Sequence, residues 1–253
     1  SVDEAVLWER LAHSRRAPVE PDWLGEVYSP SLSVDLRRAL AEKLGMLAER
    51  GWPVIHRLIQ THGIQPDLVM AAGLCQQLEA RDWLLELLEQ TSDNDPANLF
   101  IVQALGCWGG DVPAEVVQSS LQHSSQRHRL AGLQLLSFRA HGLDDAELLQ
   151  FCDPVLNDFR DPVVIEAIRV LQRRDGALIS ERLAELCRHG SQAVAEAAFR
   201  ALGCIATPIS QRILLDLSQT LGDEQDDNKL VSNSVSNFVH KKAQQLLGPH
   251  SRE

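Results

Sequence analysis

The chain has 253 residues, of which 44% are hydrophobic, so it is long enough to bury a sizeable core. Its formal net charge is −11, from 35 acidic residues against 24 lysines and arginines, which argues against nucleic acid and anionic membranes as partners. Aromatic residues make up 5% and leucine and alanine dominate, a composition that favours helices over strands. No stretch reaches the roughly 18 apolar residues that cross a bilayer, and no signal peptide is expected from the first residues.

Two short helices are predicted at the start of the chain, over residues 3–13 and 20–28. We expect residues 1–29 to form an N-terminal cap that covers the exposed edge of the helices beyond residue 30. The alternative is an aromatic docking patch, because this segment is rich in large rings. The rings are Trp8, Trp23 and Tyr28.

From residue 30 onward, a leucine recurs within apolar helical runs, usually beside alanine or glycine. The separations between these anchor leucines are 61, 31, 35 and 31 residues, which fits a period of about 30 with 61 covering two periods. The anchors are Leu44, Leu105, Leu136, Leu171 and Leu202.

Each repeat begins at a turn rich in Pro, Asp, Ser or Gly, continues as a helix, breaks, and ends with a second helix. Such a pair cannot bury its apolar face alone, so neighbouring pairs must stack into one core. The second helices are predicted at Pro53–His62, Asp82–Thr91, Pro113–His123, Asp144–Leu156, Ala177–His189 and Pro208–Leu221. Beyond them, residues 223–253 are predicted to form an acidic loop followed by an amphipathic helix, over about 229–247, that caps the other end.

The segments Asp161–Ala167 and Gln192–Ala198 are the best matches in this chain to the pattern Asp/Ser-Pro-x-Val-x-x-x-Ala-x-x-x-Leu-Gly. This pattern resembles HEAT repeats, and its short period resembles the subclass found in phycobilisome lyases. The resemblance covers residues 30–222. It implies an all-α fold, a right-handed α-α superhelix (a HEAT-like solenoid) of about six helical pairs with a capping helix at each end, forming a single domain over residues 1–253.

No catalytic residue, metal site or cofactor is predicted. The chain lacks Cys-x-x-Cys, His-Glu-x-x-His and Gly-x-Ser-x-Gly motifs. The pair Asp144 and Asp145 is explained by capping of a helix start, and Gly109-Gly110 by the end of a helix. Five widely spaced cysteines are expected to be buried free thiols in a reducing cytoplasm: Cys75, Cys107, Cys152, Cys187 and Cys204.

The second helices of HEAT-like pairs tend to line a concave face that holds extended partners. Polar residues predicted to face outward there are the candidate binding residues: His56, Arg57, Gln60, Glu86, Glu89, Gln90, Gln118, Gln122, Arg182 and Glu185. Three tryptophans near the break between paired helices either pack the inter-helix turn or act as binding hot spots. These are Trp52, Trp83 and Trp108.

Two functions are consistent with this sequence. The leading one is a cytoplasmic, non-catalytic scaffold, adaptor or assembly chaperone that binds another protein along the concave face. The alternative, which the resemblance implies, is a bilin lyase-like factor that positions a tetrapyrrole or a biliprotein subunit for chromophore attachment. A HEAT-like DNA-repair glycosylase is disfavoured by the net charge of −11.

Overall fold

The computed structural model describes residues 3–223. Within them, fourteen α-helices and three short 3₁₀ segments account for the regular structure, and no strand occurs. The described helices include none that is both long and apolar enough to span a membrane. The chain divides between His123 and Ser124 into two compact units.

The first unit contains eight helices, of which the last six form three pairs. Helices α1 and α2 pack against α3, and α2 also contacts α4. The helices are α1 (Glu4–Ala12), α2 (Pro21–Val27), α3 (Val34–Met46), α4 (Trp52–His62), α5 (Pro66–Leu74), α6 (Leu78–Gln90), α7 (Pro96–Leu105) and α8 (Ala114–Gln122).

The second unit contains three further pairs. The first helices of successive pairs contact one another, α9 with α11 and α11 with α13, and the second helices do the same. The helices are α9 (Gln126–Arg139), α10 (Asp145–Leu156), α11 (Asp161–Leu171), α12 (Ala177–His189), α13 (Gln192–Ile205) and α14 (Pro208–Asp223).

The described helices confirm the predicted all-α fold, with three helical pairs in each unit. All five anchor leucines are 0% exposed, as a core-facing repeat position requires. The second helices begin and end within one or two residues of the predicted bounds, except α6, which begins four residues earlier than predicted, at Leu78. The predicted C-terminal loop and helix lie outside the described residues from position 224 onward.

Helix starts depend on the capping chemistry of the turns. The carboxylate of Asp95 accepts a hydrogen bond from the Ala97 N–H at 2.9 Å, ahead of Pro96 in the first turn. Asp144 and Glu147 form a reciprocal capping box at 2.8 and 2.9 Å. These contacts satisfy N–H groups that have no partner inside the helix.

Two aspartates in the first turns of helices form contacts between repeats, and for Asp145 this differs from the predicted capping role. Asp145 does not cap its helix but accepts a hydrogen bond at 3.1 Å from Arg174, near the end of the following helix. Asp161 is the first residue of α11, and its carboxylate accepts the hydroxyl of Ser191 at 2.9 Å. Both therefore join consecutive repeats, roughly 30 residues apart, instead of closing a local turn.

Glycines allow the first helices of the first unit to approach closely. A Cβ on Gly45 would lie 2.7 Å from Leu74 Cβ, and one on Gly73 would lie 2.7 Å from the carbonyl oxygen of Ala104. These distances are shorter than real carbon contacts, so α3 against α5 and α5 against α7 both require a residue without a side chain.

The cysteines are unpaired but not uniformly buried. Cys75, Cys152 and Cys187 are buried and Cys107 is half-buried, whereas Cys204 is exposed near the end of α13. The expectation of five buried thiols is therefore wrong for Cys204, because the last turn of α13 carries it on the outward side of the helix.

Candidate functional site

Part of the predicted binding surface in the first unit is an aromatic cluster. The ring of His56 stacks on Trp52, with centroids 5.0 Å apart and planes 11° apart, and meets the edge of Trp83 at 5.5 Å. Trp52 is only 7% exposed, which removes it as a contact residue for a partner. The cluster packs α4 against α6, consistent with the predicted packing role of these tryptophans.

The remaining candidates of the first unit lie on the surfaces of α4, α6 and α8. Gln60 lies 3.5 Å from the His56 ring nitrogen, and Arg57 lies 3.6 Å from the carboxylate of Asp22. Trp108 is half-buried in the break after α7. The exposed residues are Arg57, Gln60, Glu86, Glu89, Gln90, Gln118 and Gln122.

Arg182 and Glu185 of α12 border a surface pocket of about 490 Å³ within the second unit. Its floor is aliphatic and is made by residues that are at most 6% exposed: Leu156, Val164, Leu186 and Val194. Arg182 donates to Glu185 at 3.2 Å and approaches the Asn157 amide oxygen at 3.4 Å. The two predicted residues therefore form part of the polar rim of a pocket whose floor is aliphatic.

The loop between α10 and α11 also lines this pocket and is fixed by a buried carboxylate. The side chain of Asp158 is 1% exposed. Its oxygens accept hydrogen bonds from the Arg160 backbone N–H at 2.8 Å, from Arg160 Nε and Nη2 at 2.9 Å, and from Arg129 Nη1 at 3.1 Å. Arg129 also donates to the Pro154 carbonyl at 2.8 Å, and Arg160 to the Ser124 carbonyl at 3.0 Å.

The hydrogen bonds and charges around Asp158 lower the pKa of its carboxyl group. Hydrogen bonds from Arg160 hold the pKa of the Asp158 carboxyl below its usual range, with the charge of Arg129 acting in the same direction. The carboxylate is therefore ionised at neutral pH and paired with two guanidinium groups, which is the arrangement that makes a buried charge tolerable.

Phe159 lies between the two paired residues and is 89% exposed, the largest value among the large hydrophobic side chains that the structure describes. The Arg160 guanidinium carbon lies 4.9 Å from the centre of its ring, within the range of a cation–π contact. We call Phe159 together with the adjoining pocket the Phe159 site. It presents an exposed aromatic ring beside a pocket with an aliphatic floor and a polar rim.

The exposed ring and the aliphatic floor of the pocket suit contact with an apolar side chain. Among the described residues, no group of three or more His, Cys, Asp or Glu side chains is placed to hold a metal ion. Of the polar groups that line the pocket, Ser191 and Asp161 are hydrogen-bonded to each other, and Ser191 also caps the start of α13. What the site provides is shape, apolar surface and a few hydrogen-bonding groups.

Arg182 and Glu185 were among the residues predicted from the sequence, whereas Phe159 was not. A signal was present, because Phe159 falls in an Asp-Phe-Arg-Asp turn where an apolar ring has no helical face to occupy. The contact of Asp158 with Arg129, which is 29 residues distant, has no local signature.

No protein-family model matches the chain, and no curated protein matches it. Among solved structures, it is similar to human deoxyhypusine hydroxylase in complex with glycerol, at 18% identity and a TM-score of 0.36, covering 94% of this chain and 90% of that one. It is also similar to an engineered protein, at 16% identity and a TM-score of 0.34, covering 90% of this chain and 96% of that one. At this level of likeness no property of either protein is carried over to this chain.

Proposed function

We propose that this chain is a HEAT-like repeat module that binds another protein through the Phe159 site, as a non-catalytic scaffold, adaptor or assembly chaperone. The observation that carries the proposal is the exposure of Phe159, 89%, on a loop anchored by a carboxylate that is 1% exposed. A loop whose conformation is fixed before binding loses little backbone entropy when a partner covers its exposed ring.

The energetics of such a ring agree with this role. Covering a phenylalanine side chain contributes about 1.5–3 kcal/mol, and aromatic anchors beside a pocket are typical of binding hot spots. The aliphatic floor of the pocket would receive an apolar side chain of the partner, while Arg182 and Glu185 would orient its backbone or a polar neighbour. The unpaired thiols support a reducing compartment such as the cytoplasm as the place of binding.

The test is a pull-down from lysate of the source organism with three baits: the wild-type chain, Phe159→Ala, and Phe138→Ala. Phe138 is the matched control, because it is also an exposed phenylalanine of the same unit but lies on α9, outside the pocket. We expect one or more proteins to be retained by the wild type and by Phe138→Ala but reduced about tenfold or more by Phe159→Ala.

The absorbance of the bound fraction tests the alternative function. A coloured complex or a recovered biliprotein subunit would replace the proposal with the bilin lyase-like alternative. Recovery of the same proteins in equal amounts by all three baits would refute a role for Phe159. Circular dichroism of each bait must first show the same helical content, so that lost binding is not lost folding.

A further inference from the structure

A second surface of the same unit has a different chemical character. A groove of about 430 Å³ runs between α9 and α11. Its floor includes the buried side chains of Leu133 and Val170, and its rim carries Gln134 and Ser137 from α9 and Arg169 and Arg173 from α11 and the turn after it. We call this surface the arginine groove. It does not share a lining residue with the pocket of the Phe159 site.

The two arginines concentrate positive charge in a chain whose net charge is −11. Arg169 lies in the last turn of α11 and Arg173 in the turn that follows the helix, and both line the groove. Both are exposed. No ion pair or side-chain hydrogen bond joins Arg173 to another residue within 3–223.

Arg169 is held by a neighbouring carboxylate. Its Nη1 donates to Glu166 Oε2 at 2.7 Å, and the two side chains are 64% and 40% exposed. Such an exposed pair is weak and can be exchanged for another partner, because water solvates both charges. Glu166 therefore competes with any anion that approaches Arg169.

We propose that the arginine groove binds an acidic amphipathic helix of a partner protein, with its leucine-type side chains on the aliphatic floor and two carboxylates on Arg169 and Arg173. An acidic amphipathic helix carries carboxylates along the edge of its apolar face, so carboxylates can meet the two guanidinium groups at the rim while leucines cover the floor. A nucleic acid fits less well, since the described floor is aliphatic and offers no ring on which a base could stack.

The probe is a fluorescein-labelled helical peptide of about 20 residues with glutamates four residues apart and leucines on the same face. Binding is measured by fluorescence anisotropy at low salt. An analogue with glutamine in place of each glutamate measures the apolar contribution, and a single-stranded DNA oligonucleotide of similar charge tests nucleic acid.

Variants of the groove should change affinity in opposite directions. We expect the double variant Arg169→Gln, Arg173→Gln to weaken peptide binding about five- to tenfold, because two rim ion pairs are lost. Glu166→Gln should tighten binding about twofold, because it releases Arg169. Arg188→Gln removes an exposed arginine of α12 outside the groove and should leave the affinity unchanged.

The outcomes separate this inference from the proposed function. If Phe159→Ala leaves peptide affinity unchanged, the groove is an independent site, as we expect; if it abolishes binding, the peptide occupies the Phe159 site and the inference is wrong. Four other results would each overturn the inference. The glutamine analogue could bind as tightly as the acidic peptide, or Glu166→Gln could bind the peptide more weakly than the wild type does. The DNA could bind more tightly than the peptide, or the peptide could show no saturable binding.

Discussion

The carboxylate of Asp158 accepts three hydrogen bonds from Arg160, one from the backbone N–H at 2.8 Å and two from the guanidinium at 2.9 Å. The residue between them, Phe159, is thereby displayed on a closed turn and faces solvent. A buried ion pair of this kind contributes less to net stability than to fixing one conformation, since the desolvation of its charges offsets much of their attraction. In this chain the ion pair between Asp158 and Arg160 fixes the turn that carries the Phe159 ring.

Replacing Asp158 with asparagine should destabilise the second unit by about 3 kcal/mol. The change leaves the guanidinium groups of Arg129 and Arg160 without their carboxylate in a largely buried setting, and breaking such a pair is costly. All five tryptophans precede His123, so tryptophan fluorescence reports on the first unit and does not follow unfolding of the second unit. Urea unfolding monitored by circular dichroism and by hydrogen exchange of residues 145–171 measures the effect. Unchanged hydrogen-exchange protection of residues 145–171 in Asp158→Asn would contradict the predicted destabilisation.

The contribution of Asp158 should also depend on pH in a definite direction. Its pKa is lowered in the folded chain, chiefly by hydrogen bonds from Arg160, so its stabilising effect is complete above the unfolded value of about 3.9 and is lost as the pH falls through the lower folded value. The free-energy difference between wild type and Asp158→Asn is therefore expected to be constant from about pH 7 to pH 5 and to shrink below about pH 4. Urea titrations of both proteins at each pH give this difference, and a difference that grows with acidity would rule the assignment out.

Adding one methyl group between the first helices of the first unit should be costly. Gly73→Ala would bring a Cβ to 2.7 Å from the backbone oxygen of Ala104, and backbone cannot move aside as a side chain can, so we expect a loss of about 1–3 kcal/mol. The control is Gly142→Ala, where nothing lies within 4 Å of the added atom. Thermal and urea unfolding of both variants tests this, and equal effects of the two substitutions would argue against close helix packing at Gly73.

The five thiols should differ sharply in reactivity. Cys204 is exposed, whereas burial raises the pKa of Cys152 and of Cys187 to about 12 and so suppresses their thiolate forms. Titration of the native chain with a chromogenic disulfide reagent at neutral pH is expected to show one fast thiol, which Cys204→Ser removes. Fast reaction of a second or third thiol in that variant would show that the buried positions open readily.

The helical pairs were predictable because their determinants are local. The period of the anchor leucines, the prolines in first turns and the Asp or Ser caps act within a few residues, and each is visible in the sequence. The anchors Leu44 and Leu202, in the first and last repeats, are both fully buried as predicted. The observed helix bounds differ from the predicted ones mainly at α6, because Leu78 begins that helix without a side-chain cap or a proline that the sequence would reveal.

The surface positions were harder to predict because exposure depends on what a neighbouring repeat covers. Cys204 was expected in the core and is exposed, whereas Trp52, for which packing and partner contact were both open, is buried and packs against His56 and Trp83. Arg182 and Glu185 were correctly placed on a second helix, but no sequence pattern joins them to a loop 25 residues earlier.

Periodicity and capping within each repeat specify the class of fold, the number of helical pairs and the identity of the buried leucines, and all of these can be read from the amino-acid order. Three further features emerge only when the chain is folded: Asp158 meets Arg129, Phe159 faces solvent beside an aliphatic pocket, and Arg169 and Arg173 border a groove. The physical reason is that these features arise between repeats, where contacts about 30 residues apart depend on how one helical pair is seated on the next.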